Sequence, residues 1–421
     1  MDSQIGLQQP VLDGAIQSIN FFNGRLLSAR DLTVEQNANR EASRRLGRAI
    51  GAGVAYGLEV SKASNFKKDS PAVSVEAGLA INPNGQTLSL SARTDVALVR
   101  SSNANGAAQI FGDCLPLQTG SYVSGAGVYL LTIAPAQSVE GRAITNGLQP
   151  GASSCSSDTL VSTVQFRLVQ IDSALTPAQM NDQAHLRNLV AYKCFGVDDT
   201  KDFVADPFAK EMKQWGLLDG LRPNQLTDCE VPLAVLYWTD LDGLNFIDMW
   251  SVRRRLIEPA AGAPWPFFYA DRRSAEAEAM FLQFQDQIKE LQQNTNPALV
   301  NARGYFSFLP PIGFLPIGSG ATAAFDYKVF FQDKIHRDDS VFIEGAQVCS
   351  LMRDALSYPP IDLNSQEMVW LYLIRENIQL FDLGAAKRPQ QYVIFVNGHT
   401  QYRGNARYDL NRWNFGNYGE I

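Results

Sequence analysis

Few side chains in this 421-residue chain stand at spacings that chemistry requires. The histidines are His185, His336 and His399, and none has a cysteine or a second histidine two to four residues away, so a zinc site would need remote ligands. Asp240-x-Asp242-Gly243 opens like a calcium loop but lacks the later glutamate, which makes a plain turn the expectation. Asp228 and Glu230 could serve as an acid/base pair, yet no nucleophile, base and oxyanion set converges on them in sequence. Gly51-Ala52-Gly53-Val54-Ala55-Tyr56-Gly57 imitates a dinucleotide fingerprint with the wrong spacing, and it follows a helix where that motif follows a strand. It reads instead as a tight exit from helix to strand. No catalytic residue, metal or cofactor is expected, and the chain is not expected to be an enzyme.

The stretch with the most specific content is Phe21 to Val60. Ser28 is an N-cap candidate with Asp31 three residues on, opening a helix over roughly Ala29 to Arg48. Its apolar stripe is thin: Leu32, Ala38, Ala42, Leu46 and Ala49, with Glu41 and Arg45 at ion-pair spacing. Such a stripe buries little, so the helix must lean on a β-domain behind it or on a neighbouring subunit. Phe21, Phe22, Leu26 and Leu27 are the expected anchors, with Arg25 and Arg30 adding rim contacts. Gly24, Asp31, Leu32, Glu35 and Gln36 complete the candidate interaction site. The bland alternative is that the four apolar anchors staple the helix onto its own domain.

Composition narrows the class. Hydrophobic residues make up 45% and charged residues 19%, which describes an ordered globular chain of about two to three domains. A net charge of −7 argues against a general nucleic-acid binder, which needs a basic surface. Arg253–Arg255 is the dense basic cluster, expected as a solvated face or an ion-pair site. The five cysteines, Cys114, Cys155, Cys194, Cys229 and Cys349, lie far apart and suit free thiols in a reducing compartment, with Cys114 and Cys155 able to pair outside a cell. The first residues lack a basic n-region, and the apolar runs are too short to span a bilayer. A chain made in the cytoplasm, with no membrane insertion, is the expectation.

The elements that would position these residues are mostly strands. Val73, Val75, Leu79 and Ile81 alternate into Asn82-Pro83-Asn84-Gly85, a hairpin signal, and Leu88 and Leu90 follow. Val128–Ile133 and Leu160–Ile171 are strands, and Ser138–Asp158 between them reads as a Gly/Ser-rich surface loop. Thr176-Pro177 opens a helix to about Lys193. Val231–Trp238 and Leu244–Trp250 flank a turn as a second hairpin. Glu276–Leu291 is amphipathic, with Ala277, Phe281, Phe284, Ile288 and Leu291 at seam spacing, filled either by its own domain or by an oligomeric partner. Phe308–Gly313 is echoed by Phe314–Gly318; its prolines exclude a central strand and suggest an extended apolar strap over a surface. Gly345–Leu356 is a helix, and Met368–Ile374 and Gln391–Val396 are strands. The aromatic tail, Gly404–Ile421, should be tied onto the fold.

Phe22-Asn23-Gly24-Arg25-Leu26-Leu27-Ser28-Ala29-Arg30-Asp31-Leu32, with Glu35-Gln36 after it, resembles a recurring pattern of accessory structural proteins of phage-tail-like contractile injection systems. That pattern reads (Y/F)F-x-G-x-L-L-(T/S)-A-x-D-(F/L). Its next element is similar to Arg48 through Gly51–Val60, although Gly47 and Ile50 stand near the places of the family's histidines. Gly78-Leu79-Ala80-Ile81-Asn82 with Gly85, and Leu309–Pro316, resemble two further features. The resemblance implies a structural subunit docking on baseplate, fibre or distal-end components. Its partners would be other particle subunits, and it would form a homo-oligomer, a trimer or a six-fold ring. The competing readings are a receptor- or glycan-binding fibre or adhesin module and, third, a glycan-active enzyme. The expected fold is α+β and β-rich: a docking arm and helix in 1–60, a β-rich domain with one inserted helix in 61–258, a helical connector in 259–300, and a β-rich domain with the strap in 301–421. β-Sandwich or barrel-like domains and a few amphipathic helices would make up these parts.

Overall fold

Continuous apolar runs, buried on both faces of one sheet, build the centre of the molecule. In this computed structural model the described residues are 7–8, 10–64, 71–99, 125–144, 155–199, 215–257, 271–318, 324–335, 341–366, 368–378 and 390–397. After helix α1 (Ala29–Ile50) come β1 (Gly53–Gly57), β2 (Val60–Lys62), β3 (Ala72–Val75), β4 (Gly78–Ile81), β5 (Thr87–Leu90) and β6 (Thr94–Ala97). They form two small antiparallel sheets, ordered β1-β4-β5 and β2-β3-β6. The Asn82–Gly85 hairpin is realised as read, with Gly85 N–H donating to Asn82 O at 2.8 Å.

The next sheet is ordered β10-β9-β7-β8, from β7 (Gly127–Ile144), β8 (Cys155–Gln170), β9 (Val231–Thr239) and β10 (Gly243–Asp248). Both of its faces are covered. Tyr129, Leu131, Ile133, Leu236 and Trp238 meet Val73, Val75 and Leu88 of the small sheets. Val128, Leu130, Val235 and Tyr237 meet Leu186 and Val190 on the opposite side. Those last two lie on α3 (Gln183–Cys194), which follows the short α2 (Pro177–Asn181). The single helix expected from Thr176 is therefore two, because Asp182 leaves helical geometry at φ −87°, ψ 74°.

The expected loop over Ser138–Asp158 is a correction. β7 and β8 stay paired down to Ile144 opposite Cys155, and residues 145–154 lie outside the described residues. The Gly/Ser content hid a ribbon whose Ser and Thr pair with Val and Ala across the strands, a combination the pleat accepts.

After α4 (Gly216–Gly220) and α5 (Asp271–Asn294), the chain enters β11 (Phe308–Leu309) and β12 (Ile312–Ile317). Then follow α6 (Tyr327–Phe331), β13 (Val341–Ile343), α7 (Gly345–Ala355), β14 (Ile361–Asp362), β15 (Val369–Ile374) and β16 (Gln391–Asn397). The sheet β12-β16-β15-β13 is antiparallel except for the parallel pair β13/β15. α5 fills one face with Phe284, Ile288 and Leu291, and α7 fills the other with Leu351 and Ala355. The seam of α5 is thus occupied by its own chain. Tyr192 of α3 and Phe195 just after it pack with Ala279 and Met280 of α5, and Tyr192 stacks on Phe308 at 5.2 Å, joining the two halves.

The proline-rich strap is also corrected. Leu309 is fully buried on β11; β12 is an edge strand with Ile312 and Leu315 fully buried, and Pro316 sits on that edge, where a missing donor costs no ladder bond. All sheets of the described chain are open. The fold is α+β and β-rich.

Candidate docking site

The segment from residue 10 to α1 is braced by polar contacts and apolar on its outside. Arg45 donates to Gly14 O at 2.6 Å, Ile19 N–H to Glu35 Oε2 at 3.1 Å, and Arg25 to Asn20 O at 2.9 Å. The arm therefore runs antiparallel to the helix it precedes. A turn at Phe22–Arg25 reverses it, closed by Arg25 N–H to Phe22 O at 3.2 Å, with Gly24 at φ +89°, where a side chain would be strained.

The helix then opens on a full capping box. Ser28 Oγ accepts from Asp31 N–H, and Asp31 Oδ2 accepts from Ser28 N–H at 2.9 Å and from Ser28 Oγ–H at 2.6 Å. Arg25 reaches Asp31 Oδ1 at 2.7 Å and lies 5.9 Å from the Phe22 ring centre. The Ser28 hydroxyl and N–H, followed by Arg25, hold the Asp31 carboxyl down at about 2 from 3.8. Farther along, Arg45 and then Arg48 lower Glu41 against a smaller burial effect.

This geometry divides the ten candidate residues. Gly24, Arg25, Asp31 and Glu35 brace the loop. The expected rim role of Arg25 is corrected, because its guanidinium is spent inside the segment. Phe21, Phe22, Leu26, Leu27 and Leu32 are 56, 62, 93, 50 and 51% exposed, and Gln36 is exposed beside them. They do not staple the helix to its own domain. Of the seventeen large hydrophobics exposed in the described chain, eleven lie between residues 7 and 50, a tenth of the sequence. That concentration is what makes the segment the candidate docking site.

Of the thin stripe of α1, Leu32, Ala42, Leu46 and Ala49 are exposed and only Ala38 is buried. Ala38 and Gly47 are the buried residues of the helix, whereas Leu32, Leu46 and Ile50, which share one face at 100° per residue, point to solvent. What anchors α1 is a backbone contact that the sequence reading missed. A Cβ on Gly47 would stand 2.1 Å from Gly85 O, and one on Gly85 would stand 2.0 Å from Arg44 O. Only two glycines allow this approach. The signal was available, since a glycine inside a helix costs roughly 1 kcal/mol and asks for a packing reason. Beyond Gly51 the helix passes into β1, and Ala52 exchanges two backbone hydrogen bonds with Ile257 at 3.0 and 3.2 Å.

The other candidate chemistry is absorbed by structure. Glu230 is buried and accepts from Arg167 at 2.6 and 2.7 Å and from Thr227 and Thr132; burial opposes its ionisation, and Arg167 leads the contacts that lower it overall. Asp228 accepts from Arg222 at 2.7 Å. Asp242 lies in a turn on Thr239. His185 sits between Asp182 and Arg303 O, both at 2.9 Å, while His336, His399 and the aromatic tail lie outside the described residues.

Arg253, expected with its neighbours as a solvated face or an ion-pair site, is buried and donates to Leu58 O, with Glu59 an ion-pair partner at 4.0 Å; the half-buried Arg254 donates to Trp250 O and Ser251 O and lies 4.9 Å from the Phe195 ring centre. Arg255 pairs with Glu278 at 3.1 Å. The expectation of free thiols holds for Cys194 and Cys349 but not for Cys229, which is disulfide-bonded to a partner outside the described side chains. Burial pushes the Cys194 thiol up to about 12, which makes it a poor nucleophile. Among the described residues no three His, Cys, Asp or Glu side chains gather as a metal group, and no helix is long and apolar enough to cross a membrane.

No family model and no curated protein matches the chain. Among solved structures, the crystal structure of TssK is similar at 10% identity with a TM-score of 0.21, over 39% of this chain and 36% of that chain. The likeness is too slight to bear on fold or function.

Proposed function

We propose that this chain is a structural subunit of a phage-tail-like contractile injection particle, docking through its first 60 residues onto a baseplate, fibre or distal-end component. The observation that carries the reading is the inverted arm and helix: polar contacts hold the segment in shape, and its apolar side chains face outward. Burying Phe22, Leu26 and their neighbours in a partner would supply the interface energy, since a few large apolar anchors dominate such surfaces. The N-terminal motif adds the kind of partner, and a closed homo-oligomer, three-fold or six-fold, follows from the symmetry of such particles. In this reading the chain has no catalytic role and binds no nucleic acid.

The test is a tagged pull-down from the native host, with mass spectrometry and negative-stain electron microscopy of the eluate. Sheath and tube proteins and tail-like particles are expected with the wild-type chain and absent with Phe22→Ser/Leu26→Ser. Because both side chains are exposed, the double variant should keep its melting temperature. A chain that elutes alone, or a variant that still enters particles, overturns the reading.

A further inference from the structure

Far along the chain from the docking arm, two hollows of about 470 and 260 Å³ lie side by side where β10 and α3 face α5. They share Arg187, Asn245, Phe246 and Glu290, so they form one groove. We infer that this groove binds a neutral oligosaccharide.

Charge comes first. Arg187 donates to Asp248 at 2.8 Å, Asp286 at 2.7 Å and Glu290 at 2.5 Å. Lys62, Arg187 and Lys289 share the wall with Asp286 and Glu290, and the buried Asp248 behind Arg187 offsets the third cation, so the groove favours neither an anion nor a cation. Asp286 and Glu290 are each 48% exposed while fixed on Arg187, so they are preorganised acceptors.

Directional groups come next. Gln183, Asn245, Gln287, Gln293 and Asn294 line the two hollows. A side-chain amide donates and accepts at once, as a pair of vicinal sugar hydroxyls does. Phe246 stands between the hollows, half-buried, with the Tyr237 ring behind it at 5.5 Å. A supported aromatic face of that kind takes the C–H face of a pyranose.

An extended peptide is the natural rival, because β10 is the edge of its sheet. The ladder argues against it. β10 is bulged between Leu244 and Phe246, leaving Asn245 without a partner on β9, and an edge bulge obstructs addition of a further strand. The same bulge aims side chains outward, as bulges beside binding sites do. Asn245 Nδ2 is held on Thr239 Oγ1 at 2.9 Å, which fixes its rotamer.

The test uses the full-length chain on an array of neutral and charged oligosaccharides, with calorimetry on the hits. Neutral glycans should bind at micromolar to millimolar concentration. Phe246→Ala should weaken them at least tenfold, and Gln293→Ala, exposed on α5, should do so by a smaller factor without touching the core. Both variants should still enter particles, which separates this inference from the docking reading. No bound neutral glycan at millimolar concentration overturns the inference. So does selective retention of acidic glycans or peptides, or affinity that stays within twofold in both variants.

Discussion

α1 and α5 are similar in length, 22 and 24 residues, and are built inside out with respect to each other. α5 buries Phe284, Ile288 and Leu291 in its own chain and turns Asp286, Lys289 and Glu290 outward. α1 spends Asp31, Glu35 and Arg45 on the arm of its own chain and turns Leu32, Leu46 and Ile50 outward. A helix gains most of its stability in a protein from an apolar face that is packed. α5 has found that packing within the chain. α1 has not, and its apolar face stays exposed.

The contrast can be broken at its strongest point first. Phe284→Ala removes a fully buried ring that touches Phe306 and Phe395, and should cost roughly 3–5 kcal/mol in urea unfolding. A cost below about 1 kcal/mol would mean that α5 is not the core helix described. On α1, Gly47→Ala is the sharper experiment because propensity and geometry disagree in sign. Alanine favours an isolated helix by up to about 1 kcal/mol. The backbone of Gly85 leaves no room for the methyl group, so a net loss of roughly 1–3 kcal/mol is expected, with earlier proteolysis in α1. Stabilisation would show that the helix is not held there.

The smallest effect is a titration. Asp31 ionises near 2 in the folded chain and near 3.8 when unfolded, so the capping box contributes fully above 3.8 and is lost as pH falls through about 2. An NMR titration of residues 28–31 should show a midpoint close to 2, and a midpoint near 3.8 would remove the box and the Arg25 brace together.

Local rules made part of this legible. Ser28 with Asp31, the Asn82–Gly85 turn and the α5 seam each depend on residues within a few positions, and each stands where its pattern put it. Longer-range partners were not readable. Nothing near Arg253 announces that its acceptor is Leu58 O, 195 positions away. The β7/β8 ribbon was hidden because Gly and Ser say only that a turn is permitted, while pairing depends on the strand opposite. Pro316 excluded a central strand, as the ring requires, but could not say that an edge place was waiting. In the segment before and within α1, residue type pointed to the apolar side chains proposed as anchors, and they stand exposed. Which polar residues would brace them depended on the path of the arm, and that path is set by single contacts such as Gly14 to Arg45.

Only Gly51 and Ala52 separate the last turn of α1 from β1, and the joint is held by the Ala52–Ile257 pair, by Val54 N–H to Arg254 O at 2.9 Å, and by the contact of Gly47 with Gly85. A beam fixed at one end carries its greatest bending moment at the root. Here the root is welded to the β-sheets while the free end carries the exposed Phe22 and Leu26, the proposed grip. A partner that seizes Phe22 and Leu26 and then moves would turn the β-body as a lever turns its axle, with no slack linker to absorb the stroke.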